Sequence, residues 1–493
     1  MSAAVFHNAR ILTMDSRRPR AAALLVRDGA VVSCDPAAAP ADAASYDCGG
    51  ALLLPAFIDA HCHVLAAAAA LRSVDCTPRP ASSISDIQSQ LRQAAAAARE
   101  GAWIRAFGYD ETRLAERRHP TCRDLDEAVP HLPVRLLHRS GHAVVLNTRA
   151  MLLAGIAIDT EEPPGGCIER FHDSGEPTGL LLEMNDVVDR AVPPLPYAEL
   201  ADAVGDVSRR FIANGVTAVV DATHTNGAAE WETFARLQDG GSLPLGVTLM
   251  EALAHAGEMP DAPRGRLRRG HVKIMLSEVG GGLAPDEAAL RRAVLEMHRA
   301  GRGVAIHAVE ERAVGAAIDA IEAAVGETGA QECGHRIEHA GLLPRGASER
   351  LARLGVRVVT QPAFVYEQGD RYLEQVPRDK HARLYPSGDL LHAGVCVAAS
   401  SDAPVSTVGV PLALRAAMDR RTETGAVLGA GQAVSFEQAA AMWTRAAARA
   451  AGYTDRGTIA PGMSADFVLM DDRDGDLRLL ETYVRGERVY AAD

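Results

Sequence analysis

Residues 55–63 read Pro55-Ala56-Phe57-Ile58-Asp59-Ala60-His61-Cys62-His63, an apolar run entered through a proline turn and closed by two histidines one residue apart. Alternate side chains of an extended strand share a face, so both imidazoles can reach one cation. In a chain with 17 histidines such a pair also arises by chance, and a metal reading needs partners elsewhere. Downstream, strand-like runs alternate with Ala-rich helical stretches, the pattern of β/α repeats around a parallel sheet. Candidate strands are 56–59, 134–137, 218–221, 272–276, 303–306, 335–337, 356–360 and 395–399, with helices over 285–300, 312–325 and 348–354. Eight such runs predict an α/β fold built as a (β/α)8 barrel.

The ends of the chain have a different texture. Short period-2 runs with an Asp28-Gly29 turn open it, and runs around the Pro461-Gly462 turn close it. These predict one small β-sandwich from residues 1–55 and 455–493, flanking a barrel over 56–454. The intervals after the first two candidate strands are long, which predicts insertions at about 65–133 and 143–210 over the barrel mouth. Such insertions usually shape a substrate pocket. Residues 165–179 look like a β-hairpin turning at Asp173-Ser174-Gly175.

Composition narrows the function. At 493 residues, 47% hydrophobic and 23% charged, the chain can bury a large core. A net charge of −13 without a basic block, and 4% aromatic residues, argue against nucleic acid as a partner. The longest apolar runs are too short to span a membrane, and residues 1–10 lack the order of a signal peptide. A cytoplasmic protein acting on a small-molecule substrate is expected. The eight cysteines are scattered without a C-x-x-C pair, so neither a disulfide framework nor a zinc ribbon is indicated. No G-x-S-x-G elbow or Gly-Lys dipeptide supports a serine hydrolase or a P-loop. Gly280-Gly281-Gly282 reads as a loop at the barrel rim, and Asp110-Glu111 and Arg371-Tyr372 as solvated or structural pairs.

His307, His339 and Asp402 each follow a candidate strand, placing them with His61 and His63 at the carboxyl ends, where barrel enzymes gather their chemistry. Lys273 lies inside an apolar run, where an ammonium needs a partner; an ion pair with Glu278 or Asp402 is one reading. The other starts from composition, since only two of the 51 basic residues, Lys273 and Lys380, are lysine. A neutral amine adds carbon dioxide to form a carbamate that bridges two metal ions, and a guanidinium cannot. His224 follows the run 218–221 and could line a pocket or serve structure.

Phe57-Ile58-Asp59-Ala60-His61-Cys62-His63, Val272-Lys273-Ile274, Ala305-Ile306-His307-Ala308, His335-Arg336-Ile337-Glu338-His339 and Ser400-Ser401-Asp402-Ala403-Pro404 together resemble the amidohydrolase superfamily. The branch they resemble is amidohydrolase 3, which includes N-substituted formamide deformylase-like enzymes, and the likeness extends through Gly457–Asp466. It implies a distorted (β/α)8 TIM barrel and a metal-dependent hydrolase, usually of C–N bonds. In that reading His61 and His63 hold the more buried metal and His307 and His339 the second. Lys273 bridges as a carbamate, and Asp402 binds metal while shuttling protons. His142, in Ser140-Gly141-His142, resembles an Asp-Gly-His turn near the substrate, with Ser140 where the family has Asp. The resemblance also allows a homodimer.

The expected activity is hydrolysis of an amide, formamide or cyclic amide by a metal-activated water. Zinc is the default ion, one or two per site, with iron or manganese as alternatives. The rival readings are an ester or lactone hydrolase or a deaminase on the same site, and a binding protein that kept the barrel without turnover.

Overall fold

The structure is a computed structural model that describes every residue except 1, 2, 39, 79, 164, 280, 330–332, 474, 475 and 493. The chain divides into two compact units, the first comprising residues 1–63, 208–278 and 285–493, the second 64–207 and 279–284.

The first unit is organised by an eight-stranded parallel sheet. In chain order its strands are Phe57–Cys62, Val216–Asp221, Gly246–Ala252, Leu267–Met275, Val304–Ala308, Arg336–His339, Arg357–Thr360 and Cys396–Ala399. Each pairs with the next in parallel. The first and last strands meet at their carboxyl ends, where Asp402 N–H donates to His61 O and His63 N–H to Ala403 O, both at 2.8 Å. Asp59 Oδ1 accepts from Ser401 N–H across the same seam. The strands are almost wholly buried, which is why they read as apolar runs rather than alternating ones. Helices Glu287–Arg299, Glu311–Thr328 and Ala347–Leu354 lie close to their expected positions. The first begins at an Asp286 cap whose side chain accepts from Ala289 N–H.

Both chain ends build two small sheets of this unit. One holds four strands from residues 4–47, and the other joins Arg10–Leu12, Arg20–Ala21 and Leu52–Pro55 to Phe467–Asp471, Arg478–Val484 and Glu487–Ala491. Phe6, Ile11, Leu24, Leu53, Phe467 and Tyr483 share one apolar core. Leu52–Pro55 pairs with Phe467–Asp471 and runs directly into the first barrel strand.

The second unit has its own six-stranded sheet, ordered Cys167–Arg170, Pro177–Leu182, Ala143–Leu146, Val134–His138, Ile104–Tyr109 and Val74–Asp75. The hairpin expected over 165–179 is its edge pair, turning through Phe171 and Gly175. The run at 134–137 is a correction: it pairs with Ile104–Tyr109 and Ala143–Leu146 and is no barrel strand. Its place in the barrel is taken by Gly246–Ala252, third in chain order, which was not among the candidate strands. In place of two insertions split by a barrel strand, residues 64–207 form one continuous excursion. Of the triple glycine, Gly280 lies outside the described residues, and Gly282–Ala284 is a short strand. Among the described residues, no helix is long and apolar enough to cross a membrane.

Candidate metal centre

The first barrel strand decides which side chains meet. Ile58 and Ala60 pack in an apolar cluster with Ala218, Val220 and the helix Arg445–Ala451, so Asp59 and His61 project to the opposite face. His61 is 1% exposed. Its Nδ1 lies 2.5 Å from Glu338 Oε2. Glu338 is in turn gripped by buried Arg336 at 2.8 and 2.9 Å. Arg336 also donates to Ala60 O at 2.8 Å, tying the sixth strand to the first.

Two further histidines are held in the same manner. His63 Nδ1 is 3.0 Å from Thr223 Oγ1, and His339 Nδ1 is 2.8 Å from Gln361 Oε1, whose amide donates to Ser400 Oγ. A carboxylate and an amide oxygen only accept, so Nδ1 carries the proton on His61 and His339, and Nε2 is left with its lone pair. Burial pushes the pKa of His61 far down, helped by Lys273, and burial also lowers His339; both rings are therefore neutral, the form that ligates a cation.

One ligand atom each of His61, His63 and Asp402 lie within 4.8 Å of one another. Asp402 Oδ1 is 3.2 Å from His63 Nε2 and 3.5 Å from His61 Nε2. Burial alone would raise the Asp402 pKa, but the His63 hydrogen bond and the electrostatic pull of the facing His61, His339 and His63 rings outweigh it and hold the carboxylate well below its usual range. The ring of His339 lies 4.9 Å from that of His61, and buried His307 lies 4.5 Å beyond. Lys273, on the fourth strand, is 2% exposed. Burial lowers its amine to about 8 against the opposing pull of Glu338 and Asp402. The carboxylates that oppose this shift are Glu338, Asp402 and Asp221. The same burial raises Asp59 to about 7, although its Oδ1 accepts from the His61 and Ser401 amides. Three imidazoles with oriented Nε2 atoms beside one carboxylate are a donor set that fits a divalent transition metal.

The residues expected at the substrate are His142 and His224. His142 belongs to the second unit, where Nδ1 pairs with Glu183 at 2.9 Å. Ser140 Oγ lies 2.8 Å from His138 Nδ1 in that unit. Asp110 there is buried and paired with Arg139, so it is structural rather than solvated. His224 is exposed in the turn after the second strand; its neighbour Thr223 is the residue that holds His63. Glu338, Arg336, Thr223 and Gln361 were missed from sequence. A signal existed for two of them, since Arg336 and Glu338 alternate on the strand that ends in His339 and are costly to bury unpaired.

The profile of the amidohydrolase family, type 3, matches residues 45–490. The chain is 31% identical to the N-substituted formamide deformylase of Arthrobacter pascens, covering 97% of this chain and 96% of that one. It is 25% identical to the protein LONG AFTER FAR-RED 3 of Arabidopsis thaliana over 98% of this chain and 91% of that one. Among solved structures, an uncharacterised metal-dependent hydrolase from Pyrococcus horikoshii shares the fold with a TM-score of 0.73 at 22% identity, covering 95% of this chain and 97% of that one.

Proposed function

The chain belongs to the amidohydrolase family, and on that premise we propose that it is a metal-dependent hydrolase cleaving the C–N bond of an amide, formamide or cyclic amide. The observation that carries this reading is the convergence of His61, His63 and Asp402, with the Nδ1 atoms of both histidines turned to partners behind them. The formamide choice draws support from the activity in the name of the Arthrobacter relative. A zinc, iron or manganese ion would act there as a Lewis acid toward the carbonyl and lower the pKa of a coordinated water.

His61, His63 and Asp402 would hold a first ion, and His307 and His339 a second. Lys273 would join them as a carbamate. Its lowered pKa leaves more neutral amine at pH 7 than an ordinary lysine has, and the neutral form is the one that adds carbon dioxide. Asp402, with Oδ1 facing the His63 ring, takes the proton of the attacking water and returns it to the departing nitrogen. General acid–base help of this kind is worth about 10²- to 10⁴-fold in rate.

The test is metal analysis of the purified protein beside hydrolysis of a panel of N-formyl and N-acyl amines. The reading expects bound metal, turnover that a chelator removes, and an Asp402→Asn variant slower by about 10²-fold or more. Bound metal with no turnover of any amide would overturn it. With bicarbonate present, Lys273→Arg is expected to lose one ion and most of its activity; a single ion retained with near-normal turnover removes the carbamate.

A further inference from the structure

A pocket of about 550 Å³ lies at the ends of the fifth and sixth barrel strands, a size typical of small-ligand sites. Val309, one of its walls, is two residues past His307, and Gly341, another, is two residues past His339. The pocket and the histidine cluster therefore share two strand ends. Its lining is fixed by backbone: Leu342 N–H donates to Val309 O and Tyr385 N–H to Gly341 O, both at 2.8 Å. Behind it, buried Arg420 donates to the carbonyls of Leu384 and Tyr385 at 2.8 and 3.0 Å. Gly341 keeps this junction tight, because a Cβ there would meet Val309 O at 3.0 Å and the Tyr385 hydroxyl at 3.4 Å.

The chemistry of the lining is specific. Leu342, Val376 and Leu384 present alkyl groups and Tyr372 and Tyr385 their rings. The Tyr372 hydroxyl donates to Gln368 Oε1 at 2.9 Å and lies 3.1 Å from the Tyr385 hydroxyl, so the phenols satisfy one another. Lys380 is engaged by Glu311 at 2.9 Å. Glu278, Glu310, Glu311, Arg312 and Lys380 are the charged residues lining it, three acids against two bases, which disfavours an anion.

We propose that this pocket takes an uncharged apolar side group of the substrate, an aromatic ring or a branched alkyl group, and that Leu342, Val376 and Tyr372 limit its size. As a statement about turnover the proposal rests on the amide reading above; as a statement about binding it does not. A group on the nitrogen and a group on the carbonyl carbon present the same chemistry to the pocket, so the experiment separates them.

The assay measures kcat/KM for N-methylformamide, N-(2-phenylethyl)formamide and N-methyl-3-phenylpropanamide. It uses the metal-loaded wild type and the pocket-filling variants Val376→Trp and Leu342→Phe, each checked for native circular dichroism and metal content. Wild type is expected to favour one phenyl-bearing amide over N-methylformamide by about tenfold or more, the scale of burying a ring. In the filled variants that preference should fall by about tenfold. Which phenyl amide shows it tells whether the group sits on nitrogen or on the carbonyl side. No preference in wild type, or a preference unchanged within about twofold in a folded variant, overturns the pocket. If no amide is turned over, calorimetry with 2-phenylethylurea decides separately. Binding by wild type that weakens about tenfold in Val376→Trp keeps the pocket while the amide reading falls, and absent or equal binding removes the pocket too.

Discussion

Glu338 is fully buried between a histidine and an arginine, accepting from His61 Nδ1 on one side and from Arg336 on the other. The carboxylate fixes the His61 tautomer, and the paired arginine offsets the cost of burying it. Glu338→Gln weakens both links, since a neutral amide orients the ring less firmly and leaves Arg336 a buried cation without a counter-ion. The expected outcome is metal affinity lower by about 10- to 100-fold, read by titration against a chelator. Stability should also fall by about 3 kcal/mol, read from urea unfolding of the metal-free protein. Full metal affinity in this variant would show that Glu338 does not orient His61.

At the start of the sixth strand, the opposite end from His339, sits a second histidine group. His298, Cys333 and His335 have ligand-like spacing, but their hydrogen bonds define a different role. His335 Nδ1 accepts from Val304 N–H at 3.2 Å, so its proton is on Nε2 and is donated to His298 Nδ1 at 2.8 Å. A cation on that Nε2 would displace a proton that Nδ1 has no room to take. The pair is a hydrogen-bonded brace between helix and strand. Burial, with help from His298 and Arg357, lowers His335 to about 4 from an ordinary value of 6.5. The unfolded chain therefore binds more protons between pH 6.5 and 4, and stability present above 6.5 is lost as pH falls through that window. This one residue accounts for about 3 kcal/mol of the loss. Unfolding free energies at pH 7 and pH 4 should show His335→Asn losing less across the interval than wild type; equal losses would assign the acid sensitivity elsewhere. The same strand ends approach too closely for a side chain at Gly303, whose Cβ would meet Cys333 O at 2.4 Å and the His271 ring at 2.7 Å. Gly303→Ala is expected to lower stability by about 1–3 kcal/mol in the same assay.

At the scale of the whole molecule, the chain ends meet before the barrel begins. Leu52–Pro55 lies between Arg10–Leu12 and Phe467–Asp471, and the next strand carries His61. The barrel's first strand thus starts from a sheet that residues more than 400 positions downstream complete. Ending the chain before Phe467 uncovers Leu53 and Phe6 and removes the partner of the strand that feeds the metal site. Such a truncation is expected to be poorly soluble and to bind little metal, measured as soluble yield and metal per chain. A soluble, fully metal-loaded fragment would show that the barrel does not need the terminal sheets.

What was legible in the sequence was local. Whether a run is strand or helix, and whether a histidine follows a strand, depend on a few neighbouring residues, and that was enough for the barrel class and for placing His61, His63, His307, His339 and Asp402 at strand ends. Two things depended on distance in the chain. The runs 134–137 and 246–252 are both short and largely apolar, and only their pairing partners assign one to the second unit and the other to the barrel. The groups that orient the histidines come from 277, 160 and 22 residues away, as Glu338, Thr223 and Gln361. A side chain's hydrogen-bonding type is written in its own letter, but the partner that satisfies it is whatever the closed barrel brings within 3 Å, and no local pattern encodes that meeting.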